Sequence, residues 1–367
     1  MKNMTYGSAT VVSMALAVFA VIGGEAFAAR AQQRVGTLFS GSIGTARIEM
    51  DVRREGDRLT GTYYYLKSGS ANRLTLKGTI AADGSFTMQE MDAAGKQTGE
   101  FKGKWKEAGA DENGATLEGQ WLKPGQTSGG LGFGAFEQMI YFDKSQITTR
   151  EYKESIKAKK ATLSAEYPEL SGSANAAAFN QLAKSRALES LAHFRKALAG
   201  LTAADIKNTG EAGNFADVAY GVEYADDDLI SVNFIDETFS GGVHPNTGSF
   251  TITYDLKAGR ELKLADLFRP GSQYLPKIAD YVIADLKARK DPDSGENLGI
   301  AQDYFEEGAE PTAENYSKWN VTKKGLMFTF PPYQVAAYVE GPQQVIVPFS
   351  QLKDIARADG ALGKVRR

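Results

Sequence analysis

One arrangement recurs four times between residues 59 and 121: Leu59-x-Gly61-x-Tyr63, Leu76-x-Gly78-x-Ile80, Phe101-x-Gly103-x-Trp105 and Leu117-x-Gly119-x-Trp121. Each sets an apolar residue on either side of a glycine at a period of two, which puts all three on one face of a strand. The intervening positions are polar: Thr75, Lys77 and Thr79, then Lys102, Lys104 and Lys106, then Glu118 and Gln120. Glycine weakens a strand interior, so its recurrence needs a cause. Curvature supplies one, because a missing side chain lets strands coil and close. Turn clusters such as Glu55-Gly56-Asp57, Ala82-Asp83-Gly84, Ala94-Gly95-Lys96 and Glu112-Asn113-Gly114 punctuate the runs. Residues 36–143 are therefore predicted to form an all-β curved antiparallel meander or small barrel. Its interior either holds a small ligand or, the preferred reading, is filled by Tyr63, Trp105 and Trp121.

The chain has 367 residues, 42% hydrophobic and 24% charged, with a formal net charge of -3. That balance argues against a nucleic-acid partner, which needs clustered cations in excess. Lys2, the apolar run Ala9–Ile22 and the small residues Ala26-Phe27-Ala28 read as a signal peptide over residues 1–28. The run is short for a membrane span, so a periplasmic or secreted protein with no stable span after cleavage is expected. There is no cysteine. Disulfides, thiolate metal sites, a cysteine nucleophile and a lipidated cysteine are all excluded.

From residue 144 to 357 the pattern changes to strands mixed with long helices, giving an α+β class overall. Phe179, Leu182, Leu188, Leu191, Phe194 and Leu198 mark an amphipathic helix over Asn175–Ala199, and His193 falls off its apolar stripe. Leu275, Ile278, Val282 and Leu286 mark a second helix over Ser272–Lys290. An antiparallel sheet is expected between them, with a hairpin across Asp226-Asp227-Asp228, read as a solvated turn. Further strands are placed at Trp319–Val321, Leu326–Phe330 and Val345–Val347, a short helix at Phe349–Arg357, and a basic tail at 358–367. Asp291–Gln302 resembles a calcium loop only loosely, since its ligand spacing fails.

The second region centres on Ser240-Gly241-Gly242-Val243-His244-Pro245-Asn246. Ile230, Val232 and Phe234 alternate with Ser231 and Asn233 before it, and Phe250, Ile252 and Tyr254 alternate with polar residues after it. Two half-buried strands joined by a shaped loop are predicted. Gly241-Gly242 admits backbone angles that other residues avoid, and Pro245 biases His244 towards an extended conformation.

Ser240-Gly241-Gly242-Val243-His244-Pro245, Tyr254-Asp255-Leu256, Gly259-Arg260-Glu261-Leu262 and Leu264-Ala265-Asp266-Leu267-Phe268 resemble the RsiV C-terminal / PdaC N-terminal-like domain family, domain of unknown function 3298. Phe328-Thr329-Phe330, Pro332-Tyr333, Ala337-Tyr338-Val339-Glu340-Gly341 and Val345-Ile346-Val347-Pro348 agree with it. Tyr167-Pro168-Glu169-Leu170 and Phe179-Asn180 are similar to its companion, domain of unknown function 4163. The resemblance covers roughly residues 150–352 and leaves the N-terminal third aside. It implies a cell-envelope setting, and a lysozyme-like protein or peptidoglycan as partner.

The G-x-S-x-G elbow, H-E-x-x-H and the P-loop are absent, and Gly130–Ala135 lacks the βαβ context of a dinucleotide fingerprint. No catalytic residue, metal site or cofactor is therefore expected. Ser240, Gly241, Gly242, His244, Pro245, Tyr333 and Tyr338 are the candidate binding residues. His244 either pins the loop through a carbonyl or stands exposed beside the two tyrosines as a recognition group. The expected function is non-catalytic binding or sensing in the envelope; the alternative is an accessory or hydrolytic enzyme acting on peptidoglycan or another envelope polymer.

Overall fold

A computed structural model describes residues 37–69, 71–109, 113–209, 213–242, 244–290, 307–363 and 365. The expected signal peptide and the calcium-loop-like stretch lie outside the described residues. So do three residues of the basic tail.

Eight antiparallel strands close into a barrel: β1 (Thr37–Ile43), β2 (Ala46–Glu55), β3 (Arg58–Tyr65), β4 (Leu74–Ile80), β5 (Ser85–Met91), β6 (Gln97–Lys106), β7 (Thr116–Leu122) and β8 (Leu131–Glu137), with β8 pairing back onto β1. The repeated glycines explain the closure. A Cβ on Gly61, Gly78, Gly103 or Gly119 would sit 1.9–2.2 Å from a carbonyl oxygen of the adjacent strand. Coiling has moved neighbouring backbone into the space a side chain would need. The interior is filled rather than hollow. Phe101 meets Tyr63 and Phe133 edge-on at 5.4 and 4.9 Å, and Phe39 meets Trp105 at 5.2 Å. Trp121, half-buried, packs against the edge of this core.

Asp227 anchors the segment that leads from the barrel into the second region. Its carboxylate accepts the backbone N–H groups of Asp143, Lys144 and Ser145 at 3.0–3.3 Å. The Asp226-Asp227-Asp228 turn is thus less solvated than expected. Asp226 is buried and accepts from Asp228 N, Leu229 N and the Tyr224 hydroxyl, while Asp228 pairs with Lys257. The three carboxylates diverge because each closes a different piece of backbone.

The second region is built on a six-stranded sheet, in the order β14-β13-β12-β11-β10-β9. Its strands are β9 (Gln146–Ile156), β10 (Ala161–Ser171), β11 (Asn214–Ala225), β12 (Leu229–Phe239), β13 (Asn246–Asp255) and β14 (Arg260–Glu261). The sheet is not wholly antiparallel as expected, because β10 and β11 run parallel. The crossover through α1 (Ala176–Ala199) and α2 (Ala203–Asn208) imposes this, since a helical connection returns the chain in the same direction. α1 buries Phe179, Ala183, Ala187, Leu191, Phe194 and Leu198 against one sheet face. The two alanines let the helix approach closely. Asn180 pins the end of β10, its side-chain amide bonding both the N–H and the C=O of Leu170.

The opposite face is covered by a three-stranded sheet, β15 (Trp319–Val321), β16 (Gly325–Phe330) and β17 (Gln343–Pro348), backed by α3 (Tyr274–Ala288). Consequently β12 is buried on both faces over Leu229–Phe234, not half-buried as its alternation predicts. Its Ser231 finds partners instead of water, whereas the buried Asn233 Oδ1 has none among the described residues. Ser231 Oγ bonds Thr253 Oγ1 at 2.8 Å, and Asn320 Nδ2 and Val321 N at 3.0 Å. The expected Phe349–Arg357 helix is only one turn, α4 (Phe349–Leu352). Beyond it the chain pairs with the region after β14, as Arg357 N donates to Leu267 O and Phe268 bridges Ala356.

Candidate recognition surface at the Ser240–Asn246 loop

The loop leaves β12 at Phe239 and enters β13 at Asn246. Gly241 and Gly242 have φ of +101° and +115°, angles that a side chain would strain. Both are exposed, as are Ser240 and His244. The His244 ring stacks on Tyr338 with centroids 4.1 Å apart and planes 25° apart. Tyr338 in turn lies 5.4 Å from Tyr333. Three rings, contributed by segments about ninety residues apart in sequence, form a ladder at the surface.

Pro245 holds the ladder together through its carbonyl. That oxygen accepts His244 Nδ1–H at 2.8 Å and the Tyr338 hydroxyl at 3.0 Å. A carbonyl only accepts, so Nδ1 carries the proton of the neutral ring and Nε2 is left as an acceptor. Tyr333 adds a second constraint. Its φ is +70° and it is 63% exposed. A non-glycine residue there costs on the order of 1–3 kcal/mol and persists only where its surroundings impose it. Here Tyr333 N bonds Ala336 O, and the next side chain, Gln334, donates to Gly308 O and Asn315 O. The strained turn thus presents a large amphipathic ring to solvent.

Of the candidate residues, His244, Pro245, Tyr333 and Tyr338 are in contact. Ser240, Gly241 and Gly242 shape the loop that carries His244. Among the described residues no group of three or more His, Cys, Asp or Glu is placed to hold a metal ion. His193 is exposed on α1, far along the chain from the loop.

Sequence reasoning missed a cleft of about 500 Å³ beside β13. Thr251, Thr253, Glu261, Tyr274, Tyr316 and Trp319 line it, and Arg186 reaches across to Glu261 at 3.3 Å. Burial pushes the Tyr316 phenol up and the neighbouring Lys318 ammonium down, the latter opposed by Asp236. The alternating threonines were the available signal, yet they read equally well as a solvent-facing strand.

Residues 265–350 match the profile of a family described as "Protein of unknown function (DUF3298)". The peptidoglycan-N-acetylmuramic acid deacetylase PdaC of Bacillus subtilis is 28% identical over 144 residues, 39% of this chain and 30% of that protein. Immunogenic protein MPT64 of Mycobacterium tuberculosis is 27% identical over 113 residues, 31% of this chain and 46% of that protein. The chain therefore spans less than half the length of either relative. A solved DUF3298 family member from Bacteroides fragilis superposes with a TM-score of 0.45 at 17% identity, covering 60% of this chain and 97% of that one. One from Pseudomonas aeruginosa gives 0.42 at 14%, covering 58% and 94%. No helix among the described residues is long and apolar enough to cross a membrane. The segment that matches the DUF3298 family, residues 265–350, carries both tyrosines of the ladder.

Proposed function

We propose that this is an exported, envelope-facing binding protein that recognises cell-wall glycan through the His244–Tyr338–Tyr333 ladder and performs no chemistry on it. The observation that carries the reading is Tyr333, an exposed tyrosine kept at a costly backbone angle beside two stacked rings. Strain at a surface aromatic is retained where a ligand uses the ring. Aromatic faces suit the C–H faces of sugars, and aromatic side chains carry much of the energy in recognition sites. The name of the relative PdaC places that protein on peptidoglycan and supports a glycan over other ligands. The same surface would also suit a lysozyme-like protein, the other partner that the sequence resemblance implies.

Calorimetric titration of the mature chain with soluble peptidoglycan fragments, and separately with lysozyme, tests the proposal. Saturable heat with the fragments, abolished by His244→Ala at unchanged melting temperature, is the expected result. Heat with lysozyme alone would replace the glycan by a protein partner. Release of acetate or reducing ends from peptidoglycan, lost on His244→Ala, would overturn the non-catalytic reading.

A further inference from the structure

We propose that the outer edge of β13 is a docking site for an extended polypeptide segment, which adds to the six-stranded sheet as a seventh strand with one end at the 500 Å³ cleft beside Thr251. The inference does not depend on the ring ladder.

β14 pairs only with Tyr254 and Asp255, so Asn246–Thr253 has no strand on its outer side among the described residues. One bond fixes the direction of the free groups. Thr253 O accepts Leu262 N from the outer side, and alternate residues of an antiparallel strand point both their N–H and C=O the same way. Thr247, Ser249 and Thr251 therefore direct their backbone donors and acceptors outwards. None of these groups bonds the backbone or side chain of any described residue outside the β12 ladder.

The other edge of the sheet shows what a protected edge looks like. β9 carries Arg150, Glu151, Lys153 and Glu154, charges that discourage edge-to-edge pairing. Asn246–Thr253 has no charged residue and no proline. Open backbone groups without such protection match the recognition mode in which main-chain hydrogen bonds supply affinity and side pockets supply specificity.

The cleft decides the occupant. Leu262, Leu264, Ala313 and Trp319 line the cleft beside Thr251 and Thr253, together with Arg186, Glu261 and Lys263. The leucine and tryptophan side chains offer contacts to apolar side chains of the added strand, and the open amides select a peptide backbone over a lipid or a sugar.

The test uses the full chain, isotope-labelled, with the capped peptide acetyl-Thr-Val-Thr-Val-Thr-Val-Thr-amide as probe. Saturable amide shifts centred on Thr247, Ser249, Thr251 and Leu262–Ala265 are expected. Ser249→Pro deletes one outward N–H and should weaken binding about tenfold, the loss of roughly one backbone hydrogen bond. A peptide N-methylated at alternate residues tests the same bonds on the unaltered protein and should not bind. No saturation at millimolar peptide, or equal shifts with the N-methylated peptide, overturns the proposal. So does a free chain that sediments as a dimer and is dissociated by Ser249→Pro, since a second copy would then be the occupant.

Discussion

The barrel and the sheet domain treat their strand edges in opposite ways. The barrel has no edge, because β8 returns to β1. Even its buried carboxylate is saturated: Glu90, 3% exposed, accepts from Tyr63 at 2.5 Å, Trp121 at 2.6 Å and Thr98 at 2.6 Å. Desolvation and that bond to Glu90 push the Tyr63 phenol far above its ordinary range, so it stays a donor. The sheet domain instead keeps a strained tyrosine, an exposed histidine, a cleft and an uncharged strand edge. Closure makes a scaffold, and the incomplete surfaces are where we propose that a partner binds.

Gly78→Val strikes this contrast hardest. The new Cβ would meet Thr87 O at 1.9 Å and Met88 Cα at 2.7 Å, both backbone that cannot step aside. A loss of about 3 kcal/mol or more is expected in urea unfolding. Gly134→Ala, where nothing lies within 4 Å, should be near neutral and shows that glycine as such is not the point. Equal effects at the two positions would refute curvature as the reason for the repeat.

Glu90→Ala comes next. It strands three donors at once and should cost about 2 kcal/mol by the same assay, while leaving partner affinity unchanged. Altered affinity would mean that the barrel takes part in recognition.

Asp227→Asn probes the segment that joins the two regions. Burial alone would raise its pKa, but the hydrogen bonds from Ser145, Asp143 and Lys144 outweigh burial and hold it below the ordinary aspartate range. The folded-state pKa is depressed, so the carboxylate stabilises above the unfolded value and its contribution is lost as pH falls through the folded one. The substitution should cost about 1 kcal/mol at neutral pH. The gap to the unaltered chain should close as pH drops below about 4. Melting temperatures across that range check the sign, and a gap that widened in acid would contradict it.

Legibility in the amino-acid sequence divides along the same line. The barrel could be read from Gly61, Gly78, Gly103 and Gly119 because closure is imposed by local chain geometry, strand by strand. The α1 helix was readable from Phe179, Leu191 and Leu198, although Ala183 and Ala187 were not recognised as its close-approach positions. The two-sided burial of Ser231 was not readable. Its hydroxyl is satisfied by Asn320 and Val321, about ninety residues onward, and alternation cannot report what packs on a polar face. The parallel β10–β11 pairing was hidden for a related reason, since strand direction depends on the connection and not on strand composition. His244, Tyr333 and Tyr338 appeared only as separate motifs, and Pro245 O, which joins them, has no sequence signature.

Tyr333→Gly tests the central claim most directly, because stability and binding should move in opposite directions. Glycine accepts φ of +70° without strain, so thermal unfolding should show a gain of about 1 kcal/mol. Affinity for peptidoglycan fragments should fall at least tenfold as the exposed ring is lost. A variant that is more stable and binds as well as the parent would contradict the account, since the strained turn would then serve no ligand.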